Sequence, residues 1–473
     1  MPEFRVRFAS PKVFKSSTPQ SPSASVEKQS PAKQRSRSGC RECRQRKVKC
    51  DETFPVCLRC QRRGTICQPV MRALQWQLEV PWLADPYANS LTPALNPDAN
   101  VNVRLMRYWL ERMSQIMSLD LNNNPMSFPI LKYLSVSPSL VYVIQCVSAA
   151  HEQYFQQHNM TTSLEERSKA LATFREELHG QNVSLSHSFL TLLMLGMSSS
   201  WITIGPSDYG KEHLLAARTV ADMVLKKADT KSEELDHLNM GFYVYWDMAC
   251  SFCLDPADHP VSEGDALEVY VKKNRHKFHT ITSHSMDLYY LLGQLGRYCR
   301  VIVEGGDHDL TYEAYVEESL KVYESAESGL EAKLLTEAFR KHGLLLLYRF
   351  CGIPGLYSSS VEDELLDIET ETRTRELALD IVRLLLETRL DSPYLNLHTI
   401  PLLSAGAEMT SLDVEERRQV RERLNAVYST NRLVPTLWVV DLLEELWAIH
   451  DAGMTRITWL ELMLIKDWRL RIG

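Results

Sequence analysis

Residues 40–67 read CRECRQRKVKCDETFPVCLRCQRRGTIC and carry six of the chain's 11 cysteines. Their spacing is C-x2-C-x6-C-x6-C-x2-C-x6-C, and a shift of 17 residues places the first three cysteines on the last three. At the average composition of this chain, a stretch of that length would hold fewer than one cysteine. The two copies of one C-x2-C-x6-C unit are therefore not a chance arrangement. They are a set of metal ligands or of disulfide-forming residues, and they decide the local fold.

A disulfide framework and a metal cluster are the two structures that such a cysteine pattern can form. Disulfides need an oxidising compartment, which usually means a secreted chain. The N-terminal residues MPEFRVRFASPKVFKSSTPQ have no apolar core and several prolines, so they do not resemble a signal peptide. They are basic and Ser-rich like a mitochondrial transit peptide, but the prolines interrupt an amphipathic helix. The pattern therefore favours a metal cluster.

Zinc suits a site made of thiolates, because it prefers tetrahedral sulfur ligation with Zn–S distances of about 2.3 Å. One zinc ion would use four of the cysteines and leave two over. Two zinc ions need eight ligand positions, which six cysteines supply if two of them are shared. The internal repeat suggests that the shared ligands are repeat equivalents. A module this small has little core, so metal binding would supply its folding free energy, on the order of 10–16 kcal/mol.

Residues 38–68 resemble the fungal Zn2Cys6 binuclear cluster family. The resemblance rests on the cysteines together with Gly39, the run Arg44–Asp51, Pro55 and Gly64. It implies two zinc ions per chain, with Cys40 and Cys57 as bridging ligands, and a cis peptide bond between Phe54 and Pro55. The implied metal ligands are Cys40, Cys43, Cys50, Cys57, Cys60 and Cys67.

Basic residues are interleaved with the cysteines, eight against three acidic residues over positions 39–70. A solvated helix face is the ordinary explanation of a basic run, but these residues are fixed on a metal scaffold. We therefore expect double-stranded DNA as the partner, with phosphate contacts giving affinity and base contacts giving sequence preference. The family resemblance implies that Arg46, largely through its carbonyl, and Lys47 contact the bases of a CGG triplet in the major groove. The expected phosphate contacts are Arg41, Arg44, Lys49, Arg59, Arg62 and Arg63.

The rest of the chain divides by composition into an arm, a linker and a body. Residues 1–38 carry eight basic and two acidic residues and few large apolar groups, which predicts a disordered basic arm. Within it, Lys33–Arg37 is a candidate nuclear import signal. Residues 39–68 form the DNA-binding module, and the proline-containing residues 69–100 form a linker. Pro81 interrupts any heptad series there, so whether the protein is a monomer or a homodimer stays open.

Residues 101–473 are expected to form an all-α regulatory domain, so the fold class is mainly α. Leu377, Ile381, Leu384 and Leu385 follow helical spacing, as do Trp438, Leu442, Leu446 and Ile449. Thr410 and Asp413 suggest a capping box that opens a helix through Tyr428. No run approaches the roughly 20 apolar residues of a membrane span, so no membrane partner is expected. Residues 1–70 carry a net charge of +11 in a chain of net charge −7, so the remainder is strongly acidic.

The body also resembles the regulatory domain that accompanies many such zinc clusters. The matching stretches are Leu134–His151, Ile400–Glu408 and Leu437–Trp468. This resemblance implies transcriptional coregulators and a small-molecule effector as candidate partners.

Several motifs in the body are candidates for functional sites. His151-Glu152 lacks the second histidine of a zinc protease helix, and Gly205–Gly210 is too long for a nucleophile elbow. The paired-aspartate box of helical terpenoid synthases is absent around Asp363 and Asp367. Cys250 and Cys253 stand one helical turn apart as candidate oxidant sensors, against the simpler role of core residues. The acidic residues 362–371 are a candidate coactivator segment, against a solvated helix or loop.

These observations predict a nuclear, sequence-specific, zinc-dependent RNA polymerase II transcription factor that is regulated through its helical body. The alternative from another class is an enzyme with a catalytic body and the zinc module as a tether. No acid, base or metal constellation in residues 101–473 favours that alternative, so we expect no catalytic residues. A zinc-storage role would not require the ordered basic residues.

Overall fold

A computed structural model describes residues 39–53, 56–68, 99–153, 160–180, 183–203, 205–226, 233–258, 266–354, 363–453 and 457–471. The expected basic arm, the Phe54–Pro55 bond and residues 69–98 of the expected linker lie outside these ranges. Among the described residues there is no β-strand, only an isolated antiparallel bridge between His279 and Ser283. The expectation of a mainly α fold is confirmed.

Two short helices belong to the cysteine-rich stretch: α1 (Arg41–Gln45) and α2 (Leu58–Gln61). The body opens with α3 (Val103–Glu111), α4 (Leu131–Leu134), α5 (Pro138–Gln153), α6 (Thr161–Gly180), α7 (Leu185–Ile202), α8 (Lys211–Lys226) and α9 (Glu233–Ala249). It continues with α10 (Ala266–Lys273), α11 (Met286–Val303), α12 (Leu310–Lys321), α13 (Leu330–Cys351) and α14 (Asp363–Glu387). The last helices are α15 (Thr399–Ala407), α16 (Val414–Asn431), α17 (Pro435–Asp451) and α18 (Trp459–Ile465).

The body has one large core, because successive helices pack side by side and bury their apolar faces together. The closest partners are α5 with α6 and α13 with α14, each pair adjacent along the chain. Trp109, Trp246 and Trp459 are among the largest side chains that are fully buried. Helix α7 is buried along almost its whole length, and apart from His187 its polar residues are small serines and one threonine.

Gly196 allows two of these helices to approach closely. A Cβ atom at that position of α7 would lie 2.1 Å from Cη2 of Trp246 on α9, far inside van der Waals contact. The glycine therefore creates the space that the buried indole ring fills. The two predicted apolar stripes also face the core, since Leu377, Ile381 and Leu385 are buried on α14 and the second stripe runs along α17.

The beginning of α16 differs from the capping box predicted for it. The helix starts at Val414, with Asp413 as the residue before its first turn. The Thr410 hydroxyl donates to the Asp413 carboxylate at 2.8 Å, and the Thr410 N–H donates to the same oxygen. Only the backward half of a capping box is present, and Asp413 also forms an ion pair with Arg375. The Asp413 carboxylate thus bonds to both Thr410 and Arg375. The helix extends to Asn431, beyond the predicted Tyr428.

No helix among the described residues is long and apolar enough to span a membrane.

Candidate metal centre and nucleic-acid interface

The two halves of the cysteine-rich stretch fold alike, as the internal repeat predicts. Cys40 precedes α1, and its sulfur accepts a hydrogen bond from the Cys43 N–H at 3.4 Å. Cys57 precedes α2, and its sulfur accepts one from the Cys60 N–H at the same distance. Each half therefore turns two of its cysteines inward at the start of a short helix.

The six sulfur atoms converge at the centre of the module. The Sγ–Sγ distance is 3.8 Å between Cys40 and Cys57, 3.7 Å between Cys40 and Cys60, and 3.7 Å between Cys43 and Cys57. A tetrahedral zinc ion with Zn–S bonds of about 2.3 Å has ligand–ligand edges of about 3.8 Å, so these separations fit zinc.

The sulfurs form two groups of four whose atoms all lie within 4.8 Å of one another. One group is Cys40, Cys43, Cys50 and Cys57, and the other is Cys40, Cys57, Cys60 and Cys67. Cys40 and Cys57 belong to both. The residues present therefore fit two thiolate-bound metal ions that share two ligands.

Burial opposes ionisation of these thiols. Burial raises the pKa of Cys43, and its hydrogen bonds with Cys40 and Cys57 raise it further. Burial and the neighbouring Cys67 raise the pKa of Cys60. Burial opposes ionisation of Cys57 as well, but the hydrogen bonds it accepts, first from the Cys60 N–H, lower its pKa. A bound divalent metal deprotonates its thiol ligands, so it would balance the charge that burial otherwise disfavours.

A third group of candidate ligands lies in the body, at His308, Glu313 and Cys351. His308 Nδ1 and Glu313 Oε1 are 2.7 Å apart, which is hydrogen-bond distance. Two ligands of one zinc ion at about 2.0 Å would be about 3.3 Å apart. Tyr298 also donates to Glu313 Oε1 at 2.7 Å. This group is arranged as a hydrogen-bonded network rather than around a metal.

The expected DNA-contacting residues lie on the outside of the module. Arg44, Arg46, Lys47, Lys49, Arg59, Arg62 and Arg63 are exposed, and Arg41 is half-buried. A groove of about 140 Å³ separates the halves, and four arginines from the two sides contribute to its lining, namely Arg46, Arg59, Arg62 and Arg63. Arg46 also forms an ion pair with Glu42, one turn before it, at 2.7 Å. Arg46 of the first half and three arginines of the second half thus reach one concave surface.

Lys47 adopts a backbone conformation that is rare for a lysine. Its φ angle is +55°, in the left-handed region. Its N–H donates to the Arg44 carbonyl at 3.1 Å, and the Val48 N–H donates to the Cys43 carbonyl at 3.0 Å. These two bonds close α1 with a Schellman motif, in which the left-handed residue is usually glycine. The repeat-equivalent residue in the second half is Gly64, at φ +59°.

Asp51 is a structural residue of the module to which sequence reasoning assigned no role. Its Oδ1 accepts hydrogen bonds from the Leu58 N–H at 3.0 Å and from the Thr53 hydroxyl at 2.6 Å. Although partial burial opposes ionisation, the bonds from Thr53 and Leu58 lower the pKa of Asp51 to about 2. The carboxylate thus ties the end of the first half to the start of α2. An acidic residue directly after the third cysteine is the only sequence signal for it.

The body motifs lie mostly in structural roles. His151 is buried and forms a 2.7 Å hydrogen bond with the Tyr108 hydroxyl, and residues 205–210 form a loop. Cys250 and Cys253 are buried, and burial raises the pKa of both thiols, which disfavours the thiolate that oxidants attack. The acidic segment from Asp363 onward forms the first turns of α14, and its role in coactivator binding stays a prediction.

Comparison with known proteins identifies both parts of the chain. Residues 38–77 match the model of the fungal Zn(2)-Cys(6) binuclear cluster domain. Residues 104–473 match the fungal specific transcription factor domain.

The curated relatives match over short segments. A C6 finger domain transcription factor of Aspergillus fumigatus, hasF, is 48% identical over 66 residues, which is 13% of this chain and 8% of the relative. The transcriptional regulatory protein moc3 of Schizosaccharomyces pombe is 47% identical over 38 residues, or 8% of each protein. The chain thus aligns with less than a tenth of the length of either relative, and no solved structure matches it. The family models together cover most of the chain, and it belongs to the fungal Zn2Cys6 transcription factors, a family of DNA-binding transcription regulators with a zinc cluster.

Proposed function

We propose that the protein is a nuclear, zinc-dependent RNA polymerase II transcription factor that reads CGG-type triplets. The observation that carries this proposal is the pair of four-cysteine groups sharing Cys40 and Cys57, beside a groove lined by arginines. In the proposal, two zinc ions occupy these groups, each held by four thiolates, with the shared cysteines bridging. The remaining ligands are Cys43 and Cys50 for one ion and Cys60 and Cys67 for the other.

The first half of the module is the proposed reading half. Lys47 has a backbone conformation in which glycine would be the least strained residue. The strain of a lysine there supports a functional role for its side chain. A lysine ammonium can donate to guanine O6 and N7 in the major groove. Arg46 has its guanidinium paired with Glu42, which leaves its carbonyl as the group proposed to reach a base. Phosphate contacts are proposed for Arg41, Arg44, Lys49, Arg59, Arg62 and Arg63.

The arm, the linker and the helical body have separate proposed roles. We propose that residues 1–38 are a basic arm with import function, 69–100 a linker, and 101–473 the regulatory domain that binds coregulators. A cavity beside His342 and Trp459 has room for about 10 Å³, roughly one water molecule. It is too small for a metabolite, so a small-molecule effector would need a different site.

Metal analysis and DNA titration test this function together. The purified full-length chain is expected to contain two zinc ions, and one ion per chain would refute the sharing of Cys40 and Cys57. Fluorescence anisotropy should show tighter binding to a CGG duplex than to a scrambled duplex, and loss of that preference after treatment with a strong chelator. Equal affinity for the two duplexes would refute triplet reading.

The salt dependence of DNA binding separates phosphate contacts from base contacts. Replacing Arg59, Arg62 and Arg63 together with glutamine is expected to reduce the slope of log K against log salt by about 0.9 per lost contact. The preference for the CGG duplex over the scrambled one should be unchanged, since these residues are assigned no base contact. A changed preference with an unchanged slope would contradict the assignment.

A further inference from the structure

One face of α16 lies against the second half of the zinc module. Glu422, Asn425, Ala426 and Ser429 are spaced by helical turns and so share a side of the helix. Gly64 lies directly over this face, and a Cβ atom there would be 2.8 Å from Cγ of Glu422. The glycine in the turn that ends α2 is thus also a point of close approach to the body.

Two hydrogen bonds join this face to the loop that ends at Cys67. Asn425 Nδ2 donates to the Gly64 carbonyl at 2.7 Å. The Cys67 N–H donates to the Ser429 hydroxyl at 3.0 Å. That hydroxyl in turn donates to the Asn425 carbonyl at 2.6 Å, which directs its lone pairs toward Cys67. Both ends of the loop, one of them a proposed zinc ligand, are therefore held by the body.

Apolar contact supports the same junction. Ala426 is 5% exposed and packs in one cluster with the six cysteines and Val56, and half-buried Leu390 packs against that cluster. The buried guanidinium of Arg423 donates to the carbonyls of Thr388 at 3.0 Å and Leu386 at 2.8 Å, which fixes the segment carrying Leu390 against α16. The small alanine lets the helix backbone come close to the cysteines.

The junction leaves the proposed DNA-contacting residues uncovered. Arg46, Lys47, Arg59, Arg62 and Arg63 are exposed with α16 in place. The contact instead involves the end of the second half, which belongs to one of the two four-cysteine groups. Its effect should therefore fall on the metal site rather than on the basic surface.

We propose that α16 is part of the zinc site: Asn425 and Ser429 are positioning residues that hold Cys67 in ligand geometry and slow the loss of the zinc ion bound by Cys40, Cys57, Cys60 and Cys67. This inference rests on the proposed two-zinc occupancy. Groups that orient a metal ligand contribute to affinity even though they do not touch the ion. The body thereby stabilises one metal ion more than the other.

Zinc transfer from the full-length chain to a chromogenic chelator tests the proposal. Wild type should release two zinc ions in two phases. Ser429→Ala and the near-isosteric Asn425→Asp should accelerate one phase about tenfold and leave the other within about twofold. Thr430→Ala is the matched control, because the Thr430 hydroxyl donates only within its own helix, to the Ala426 carbonyl at 3.1 Å. Unchanged release from both test variants would overturn the proposal.

A measurement on the wild-type chain guards against variants that fail to fold. Hydrogen exchange at the Cys67 amide should be as slow as exchange in the middle of α16, and exchange as fast as in an exposed loop would overturn the proposal. Zinc content and triplet preference of the wild type are measured in parallel. A chain that holds two zinc ions but does not prefer CGG refutes the proposed function alone. If the wild type prefers CGG but the two test variants release zinc at the wild-type rates, only the role of α16 is refuted.

Discussion

Replacing Lys47 with glycine should separate the stability of the zinc module from its ability to read DNA. Lys47 lies at φ +55° in the turn that closes α1, where its repeat equivalent is Gly64 at φ +59°. An L-residue in this region is disfavoured by about 1–2 kcal/mol, and glycine is not. Glycine loses about 0.5–1 kcal/mol more conformational entropy on folding. The two effects together leave Lys47→Gly more stable than wild type by about 0.8 kcal/mol at the middle of these ranges, and by about 1.5 kcal/mol at most.

The same substitution removes the donor proposed to contact guanine. A good base contact contributes about 1–3 kcal/mol of discrimination, so the preference for a CGG duplex should fall about 5- to 150-fold. Lys47→Ala is the matched comparison, because alanine also lacks the ammonium group but retains the Cβ atom that disfavours positive φ. Both variants should lose triplet preference equally, whereas only the glycine variant should gain stability.

Two assays on the full-length chain compare the Lys47 variants with the wild type. Fluorescence anisotropy with CGG and scrambled duplexes measures the preference. The chelator concentration at which half the zinc is removed measures the stability of the module. A Lys47→Gly chain that keeps its CGG preference would refute the reading role. A glycine variant that loses zinc more easily than the alanine variant would refute the reasoning from backbone strain.

Two further predictions concern the body. Gly196→Ala should lower the free energy of unfolding, measured in urea, by about 1–3 kcal/mol, because its Cβ would overlap the buried ring of Trp246. Gly205→Ala is the control, since no atom lies within 4 Å of a Cβ at that position. A Gly196→Ala variant that is more stable than wild type would contradict the packing. His342 is buried against Ser404, and burial lowers its pKa to about 3. Its stabilising effect is therefore present above pH 6.5 and is lost as the pH falls from there toward 3. His342→Gln should remove about 2 kcal/mol of the stability difference between pH 7 and pH 5, and an unchanged difference in urea unfolding would contradict the neutral buried histidine.

The sequence predicted the parts of this protein that depend on spacing. Cysteine intervals repeat at 17 residues, so the similarity of the two halves and the convergence of their sulfurs follow from counting. The apolar stripes containing Leu377 and Trp438 follow from the period of the α-helix. Composition likewise separated a basic head from an acidic body.

Long-range contacts were not predictable in this way. Asn425, Ala426 and Ser429 have the composition of an ordinary half-exposed helix face, and nothing near them in sequence indicates a partner more than 350 residues away. The capping box predicted at Thr410 was wrong in part, because the Asp413 N–H donates to the Thr410 carbonyl rather than to its hydroxyl, and the helix begins only at Val414. The left-handed Lys47 had a signal that sequence reasoning did not use, namely a glycine at the equivalent position of the second half.

If the protein reads triplets as proposed, the contact between the module and α16 would affect how neighbouring copies share a promoter. A helical domain of this length has a radius of gyration of about 21 Å, which corresponds to a diameter of about 54 Å. If that domain stays attached to the DNA-bound module, it occupies the space beside about 16 base pairs of the duplex. Two copies on triplets closer than this, on one side of the duplex, would bring their acidic bodies into contact. The steric footprint of the body would then set the minimum distance between operator half-sites, independently of any base contact.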